Sequence, residues 1–395
     1  MHSDSASAGA GRHSLDPDVL ASADAVLAEG HLFRYDSGSP RTSAAACFER
    51  EFAEFLGTRY AVAVNSCSSA LFLCLTSCGV QPGDEVLIPA FTFVAVPSAV
   101  VHAGARPVLV ESTPDLAVDS DDLARKITPR TRALLLSYMR GFVPDLERVL
   151  TICRDRGVQV IEDVAHGLGV DWDGTRLGRF GRAAAFSFQS HKRLDGGEGG
   201  MVVTDDREVA LRALVQSGCY DDNWKLHFLD DEDHAWLEEH ALESPAYGMR
   251  MSNLTAALLR PQLRRIEPQL ERFRSRFRTV AEGLEGCPVR LPAQPRGVTA
   301  VPDSLQFELT SLGHEQIARF VERCRAGGLR FQVFGLEAAN SRCFWNWRFF
   351  EAQECPRTRS LLERLADVPL PLWLPEEDLE RVAPTIAEAL EVAAR

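Results

Sequence analysis

The chain has 395 residues, 45% of them apolar and 25% charged, which is the composition of an ordinary globular protein with room for one large domain and a smaller appendage. Its formal net charge of −13 excludes nucleic acid as a general partner, because phosphate-binding surfaces need a basic excess. No apolar run approaches the roughly 18 residues of a membrane span, and ten scattered cysteines without a CxxC pair point to reduced thiols, a cytoplasmic protein and no metal site.

Residues 1–14, MHSDSASAGAGRHS, are polar, lack the apolar core of a secretory signal and read as a disordered leader. From 15 to 251 short apolar runs alternate with helical patterns. AVAVNS (61–66) reads as a strand ending in a polar turn, and SSALFLCLTSCGV after it has helical spacing, with Leu71, Cys74, Leu75 and Cys78 on one side. EVLIPA, PVLVES, ALLLSY, VQVIEDV, AAAFSF and GGMVVTDD follow as further strands. Continuous apolar strands separated by helices predict an α/β fold with a parallel-rich sheet buried on both faces.

Residues 220–246, YDDNWKLHFLDDEDHAWLEEHALESPA, form an acidic, aromatic insert. Its Asp221, Asp222, Trp224, His227 and Trp236 suit a substrate lid, and equally a solvated acidic insertion. A helical segment from Ser252 to about Leu284 follows, with Pro261 and Pro268 expected to kink or interrupt it. VRLP, SLQFELT, a helix from Gly313 to Ala326 and a last helix from Glu376 to Ala394 complete a small C-terminal α+β domain, residues 252–395.

Lysine is scarce: Lys126, Lys192 and Lys225 are the three among 43 Lys and Arg residues. Arginine keeps its proton near neutral pH, so a lysine retained in such a chain marks a place where an amine is needed, or chance. Lys192 lies in FSFQSHKRLDGGEGG (186–200), where Ser187 and Gln189 alternate with Phe186 and Phe188 and four glycines surround Glu198. NSCSSA (65–70) carries a strand into a helix through small hydroxyl residues, which suits an anion such as phosphate, although serine before a helix is more often only a cap. In VIEDVAHG a strand delivers Glu162 and Asp163 to its carboxyl end, where open α/β sheets bind ligands. In PAFTF, Phe91 and Phe93 flank Thr92 past another strand, and an aromatic there can stack on a planar ring. An amine, a carboxylate, an aromatic face and hydroxyls together suit pyridoxal phosphate.

GDEVLIPAFTFVAVPSAVVHAGARPVLVE, IEDVAHGLG, FSFQSHKRLDGGEGGMVVTDD, YGMRMSNLTAALLRPQL and PLPLWLPEEDLERVAPTIAEAL resemble the DegT/DnrJ/StrS family of sugar aminotransferases, a branch of the fold-type-I, aspartate-aminotransferase-like enzymes. The resemblance implies a large domain with a mostly parallel seven-stranded sheet flanked by helices. It makes Lys192 the internal-aldimine lysine and proton shuttle, and Asp163 the partner of the pyridinium nitrogen. His166 falls near the ring's phenolic oxygen, Phe93 stacks on the ring, and Ser66, Cys67, Ser68 and Ser187 hold the phosphate, with Gln189 and Arg250 completing the cofactor-binding set.

Two departures stand out. Cys67 replaces the glycine of the family's usual Ser-Gly-Thr, and Gly248 replaces an Asn that members commonly contribute to the partner subunit's pocket. The dehydratase branch carries His at the lysine position, so Lys192 favours transamination, and the adjacent His191 is a neighbour in sequence only. The resemblance thus implies a cytoplasmic homodimer that moves an amino group from glutamate or glutamine, ping-pong, to a keto-sugar or aminocyclitol ketone, often in antibiotic or surface-sugar pathways. A lyase or decarboxylase using the same cofactor, or a non-enzymatic regulator on the same fold, stays open.

Overall fold

The structure is a computed structural model that describes residues 15–395. The leader expected over residues 1–14 lies outside the described residues. Seven apolar runs form the main sheet: β1 (Tyr60–Val64), β2 (Glu85–Pro89), β3 (Arg106–Val110), β4 (Thr131–Ser137), β5 (Gln159–Asp163) and, after a two-residue hairpin β6 (Asp171–Trp172) and β7 (Thr175–Arg176), β8 (Ala183–Ser187) and β9 (Gly200–Thr204). Their order is β1-β9-β8-β5-β4-β2-β3. Only β9 runs antiparallel to its neighbours, β1 and β8; the other pairs are parallel. The mostly parallel seven-stranded sheet expected from the sequence is therefore present.

This topology sets the site. Parallel strands end on the same edge, so the residues following β1, β2, β4, β5 and β8 converge there, and antiparallel β9 starts from it with Gly200. Helices cover both faces, and the strands are buried almost throughout.

The segment from 252 is interrupted, as its prolines suggested, but the break falls at Arg265, between the helices Asn253–Arg264 and Ile266–Glu282. Ile266, Leu270 and Phe273 belong to the apolar core of the large sheet, whereas Val280 packs with the second core. That second core lies around β11 (Ser304–Glu308), β12 (Gln332–Val333) and β13 (Leu365–Pro369), ordered β11-β13-β12, after the short β10 (Val298–Thr299). VRLP forms no strand and contributes one bridge, Arg290 to Glu308.

The acidic insert is partly packed: Trp224, His227, Asp233 and Leu237 are buried, while Asp221 and Asp222 are exposed. Asp231–His240 is a helix whose N-cap Asp230 and Asp233 form a capping box. His227 and Trp224 are buried, and Asp233 accepts from Tyr60 Oη at 2.9 Å and from Arg207 Nε at 2.7 Å. His227 Nδ1 lies 3.0 Å from Glu49, which is held in turn by a two-pronged bond from Arg34 at 2.8 and 2.9 Å. Burial alone would raise the Glu49 pKa, but Arg34 and His227 outweigh it and hold it at about 2, against an ordinary 4.5. A carboxyl depressed on folding gives stability that is present above pH 4.5 and lost as pH falls toward 2. Glu49→Gln is expected to cost about 3–5 kcal/mol, because it leaves Arg34 buried and unpaired. Urea unfolding at pH 7 and pH 3 measures it: the gap between wild type and variant narrows at the lower pH.

Candidate active site

Asp163 ends β5, and the parallel register sets it beside Ser137 at the end of β4. Ser137 Oγ donates to Asp163 Oδ2 at 2.6 Å, Thr92 Oγ1 donates to Ser137 Oγ at 2.8 Å, and the Ala165 amide donates to Asp163 Oδ1 at 3.1 Å. Asp163 is buried, and burial raises its pKa; Ser137, Ala165 and Lys192 pull the other way. The neighbouring Glu162 points to the other face of the sheet. It accepts from Tyr138 Oη and from the amides of Gly178, Phe180 and Gly181, so its carboxyl is saturated and structural.

Lys192 follows β8 in the tight loop that returns as β9. Its Nζ lies 3.1 Å from His166 Nε2. Burial lowers the amine's pKa, with Asp303, Cys67 and Asp163 opposing. Burial and the nearby Lys192 push the His166 imidazole well below its ordinary value, so it is neutral. His191 is exposed and takes a left-handed φ of 77°, a conformation costly for a non-glycine residue and found at constrained functional turns. Arg193, buried, donates to the carbonyl of His166 at 2.7 Å and to that of Val301.

On β1's side, Ser66 caps the helix Cys67–Ser77 by accepting from the Ser69 amide at 3.1 Å, and Ser69 Oγ donates to Asn65 at 2.6 Å. The first-turn amides, which no helix can pair internally, and the exposed Ser68 hydroxyl remain at the helix's positive end. Gly200 faces the backbone of this turn: a Cβ there would fall against Ser66 O and the Cys67 amide. Burial, then the charge of Asp163, raises the Cys67 thiol, which stays protonated. Gly200→Ala would push this turn aside, an overpacking cost of about 1–3 kcal/mol. About tenfold or more in affinity for a phosphate-bearing cofactor is the expected loss, measured by absorbance titration of the apo protein.

Phe93 is 41% exposed past β2, and the guanidinium carbon of Arg342 lies 5.7 Å from its ring centre. Ser187 is buried at the end of β8, with its Oγ accepting from the Gln189 amide at 3.5 Å, and Gln189 itself is exposed. Arg250 is not brought to Lys192 within the chain. Its guanidinium donates to Gly218 O at 2.8 Å and packs 5.3 Å from both Phe33 and Tyr220. The sequence reading assigned no role to Ser137, Arg193 or Arg342. Ser137 had a signal, its place at the carboxyl end of the strand preceding β5, while Arg342 comes near Arg140, which donates to Asp367, only in three dimensions.

A lysine amine, a buried carboxylate and a helix N-terminus on the carboxyl edge of this sheet define the class: an α/β transferase of the aspartate-aminotransferase type. The chain belongs to the DegT/DnrJ/EryC1/StrS aminotransferase family, whose signature matches residues 35–387. It is 37% identical over 245 residues to the spore coat polysaccharide biosynthesis protein SpsC of Bacillus subtilis, covering 60% of this chain and 62% of SpsC, so that it spans about three fifths of that relative's length. It is 30% identical to the UDP-N-acetyl-3-dehydro-alpha-D-glucosamine 3-aminotransferase of Acidithiobacillus ferrooxidans over 87% of each chain. Among solved structures, 3-amino-5-hydroxybenzoic acid synthase matches with a TM-score of 0.83 at 26% identity, over 96% of this chain and 98% of the synthase. Among the described residues no helix is long and apolar enough to cross a membrane.

Proposed function

We propose that this chain is a pyridoxal-phosphate-dependent aminotransferase that takes the amino group of L-glutamate or L-glutamine and passes it to a keto-sugar or an aminocyclitol-type ketone. The observation that carries the reading is the Lys192 amine, which has no carboxylate salt bridge among the described residues and sits 3.1 Å from a neutral His166. The cofactor fits what surrounds it. His166 Nδ1 is buried without a partner, each Asp163 oxygen accepts a single bond within the chain, Phe93 is exposed, and the helix at Cys67 offers unpaired amides and the Ser68 hydroxyl. Family membership and the relative named as acting on a dehydro-sugar nucleotide support transfer to a sugar ketone.

When bound, pyridoxal phosphate supplies an aldehyde to receive the amine and an electron-withdrawing ring. The protein does the rest. Lys192 Nζ, its proton loosened by burial, serves as nucleophile and then carries the proton at the reacting carbon. Asp163, fixed by Ser137 and Ala165, would be the carboxylate that pairs with the ring nitrogen. Ser66, Cys67, Ser68 and Ser187 anchor the phosphate, and the helix dipole favours its charge. Exposed Phe33 and Tyr220 around Arg250 support a homodimer built on that surface, and ten free cysteines support a reducing, cytoplasmic setting.

Visible absorbance of the cofactor-loaded protein tests the reading. Addition of L-glutamate or L-glutamine is expected to replace the long-wavelength aldehyde-form band with the amine-form band. A band that neither donor changes overturns the donor assignment, and no band at all overturns the cofactor assignment.

A further inference from the structure

The acidic insert holds β1, an edge strand of the main sheet, at both ends. At the start of the strand Asp233 accepts from Tyr60 Oη at 2.9 Å. Toward its other end the contact runs through His227, which follows the short turn Asn223–Leu226 and is buried. His227 Nδ1 lies 3.0 Å from Glu49 Oε2, and its Nε2 lies 3.1 Å from Tyr35 Oη. Arg34 Nη2, 3.2 Å from the same Nδ1, already donates to Glu49 Oε2 at 2.8 Å. The pairing that satisfies all of these groups has Nδ1 donating to Glu49 and Nε2 accepting from Tyr35.

Glu49 carries the contact to the backbone. Its Oε1 accepts from the Ala63 amide at 2.8 Å, and Arg34 Nη1 donates to the Ala63 carbonyl at 3.4 Å. An edge strand presents such groups with no further strand to take them, and at Ala63 two side chains stand in for that strand. Val64 and Asn65 alone separate Ala63 from Ser66, the cap of the helix Cys67–Ser77, and Asn65 is fixed by donating to Met249 O at 2.8 Å. The path from the insert to the helix's first-turn amides is therefore short and bonded at each step.

We propose that His227 is a positioning residue for the cofactor: the insert splints β1, and His227, through Glu49, holds Ala63 and with it the turn 66–68 in the shape that receives a phosphate. The inference rests on the cofactor reading given above. Such coupling is reciprocal, so a cofactor that steadies the turn also steadies the insert.

Hydrogen exchange and absorbance titration of the apo protein with pyridoxal phosphate test it. His227→Leu removes the donor to Glu49 and keeps much of the bulk, whereas His227→Asn retains an N–H donor. In His227→Leu the protected amides of Ala63, Asn65 and Ser69 are expected to exchange about tenfold faster and the cofactor to bind about tenfold more weakly. The kcat of the L-glutamine half-reaction at saturating cofactor stays within about threefold of wild type, and His227→Asn stays that close in exchange and affinity as well. A general loss of stability would give neither the rescue by Asn nor the split between affinity and kcat. Exchange that rises in 220–246 alone, with affinity unchanged, overturns the proposal, and so does equal damage from both variants. In wild type the cofactor is expected to slow exchange at 224–228, a measurement that needs no variant, and no slowing there likewise overturns the coupling. A wild type that gives no band faults the cofactor reading instead, and exchange in the apo variants then decides whether His227 holds the turn.

Discussion

Lys192→Ala is expected to eliminate the long-wavelength band of the cofactor-loaded protein and to slow the donor half-reaction by at least about 10²–10⁴-fold, the range a positioned proton carrier contributes. The amine is hard to replace. His166, its one hydrogen-bond neighbour, is held neutral by burial and by Lys192 itself, and removal of the ammonium relieves only the second of these causes. Arginine at 192 would restore the positive charge but not a proton that can leave near neutral pH, so Lys192→Arg is expected to be as inactive as Lys192→Ala. Absorbance and single-turnover kinetics with L-glutamine check both variants. Either one retaining the band, or turning over within about tenfold of wild type, would remove Lys192 from the reaction.

Asp163→Asn is expected to lower the donor half-reaction about 10²–10³-fold, the usual cost of losing one preorganised charge in a water-poor site. The change is nearly isosteric: the Asn oxygen can keep the bond from the Ala165 amide while its NH2 donates to Ser137 Oγ, so thermal unfolding of the apo variant should stay close to wild type. Ser137→Ala removes the contact that aims the carboxylate while leaving its charge, and its effect on the same rate should be smaller. A larger loss from Ser137→Ala than from Asp163→Asn would mean that Ser137 itself meets a ligand.

The parts of the site legible in the sequence are those held by short-range rules. The Lys192 loop announced itself through scarce lysine and clustered glycine, and the strands through continuous apolar runs, because a strand buried on both faces must be apolar along its length. From the strand alone Glu162 and Asp163 looked interchangeable, and only the family resemblance singled out Asp163; in the structure the two carboxyls have separate partners. His227 and Trp224 suited a lid because the insert occupies the family's variable segment, and suited a solvated acidic insertion equally. Yet Glu49, on a helix far away in sequence, meets His227 with Arg34, and such a triad leaves no local pattern. β13 was missed since its run, LADVP, carries the buried Asp367 that receives Arg140. A charged residue inside a strand hides it from any test of hydrophobic periodicity.

Arg193 adds a mechanical consequence. It is the covalent neighbour of Lys192, and its two bonds tie the carbonyl of His166, in the large sheet's loop, to the carbonyl of Val301, on the approach to β11. These three segments move as one part, for separating them would strand a buried guanidinium. Any closing of the second sheet over a bound substrate must therefore pivot beyond Val301, so that the lysine stays still while the wall opposite it swings.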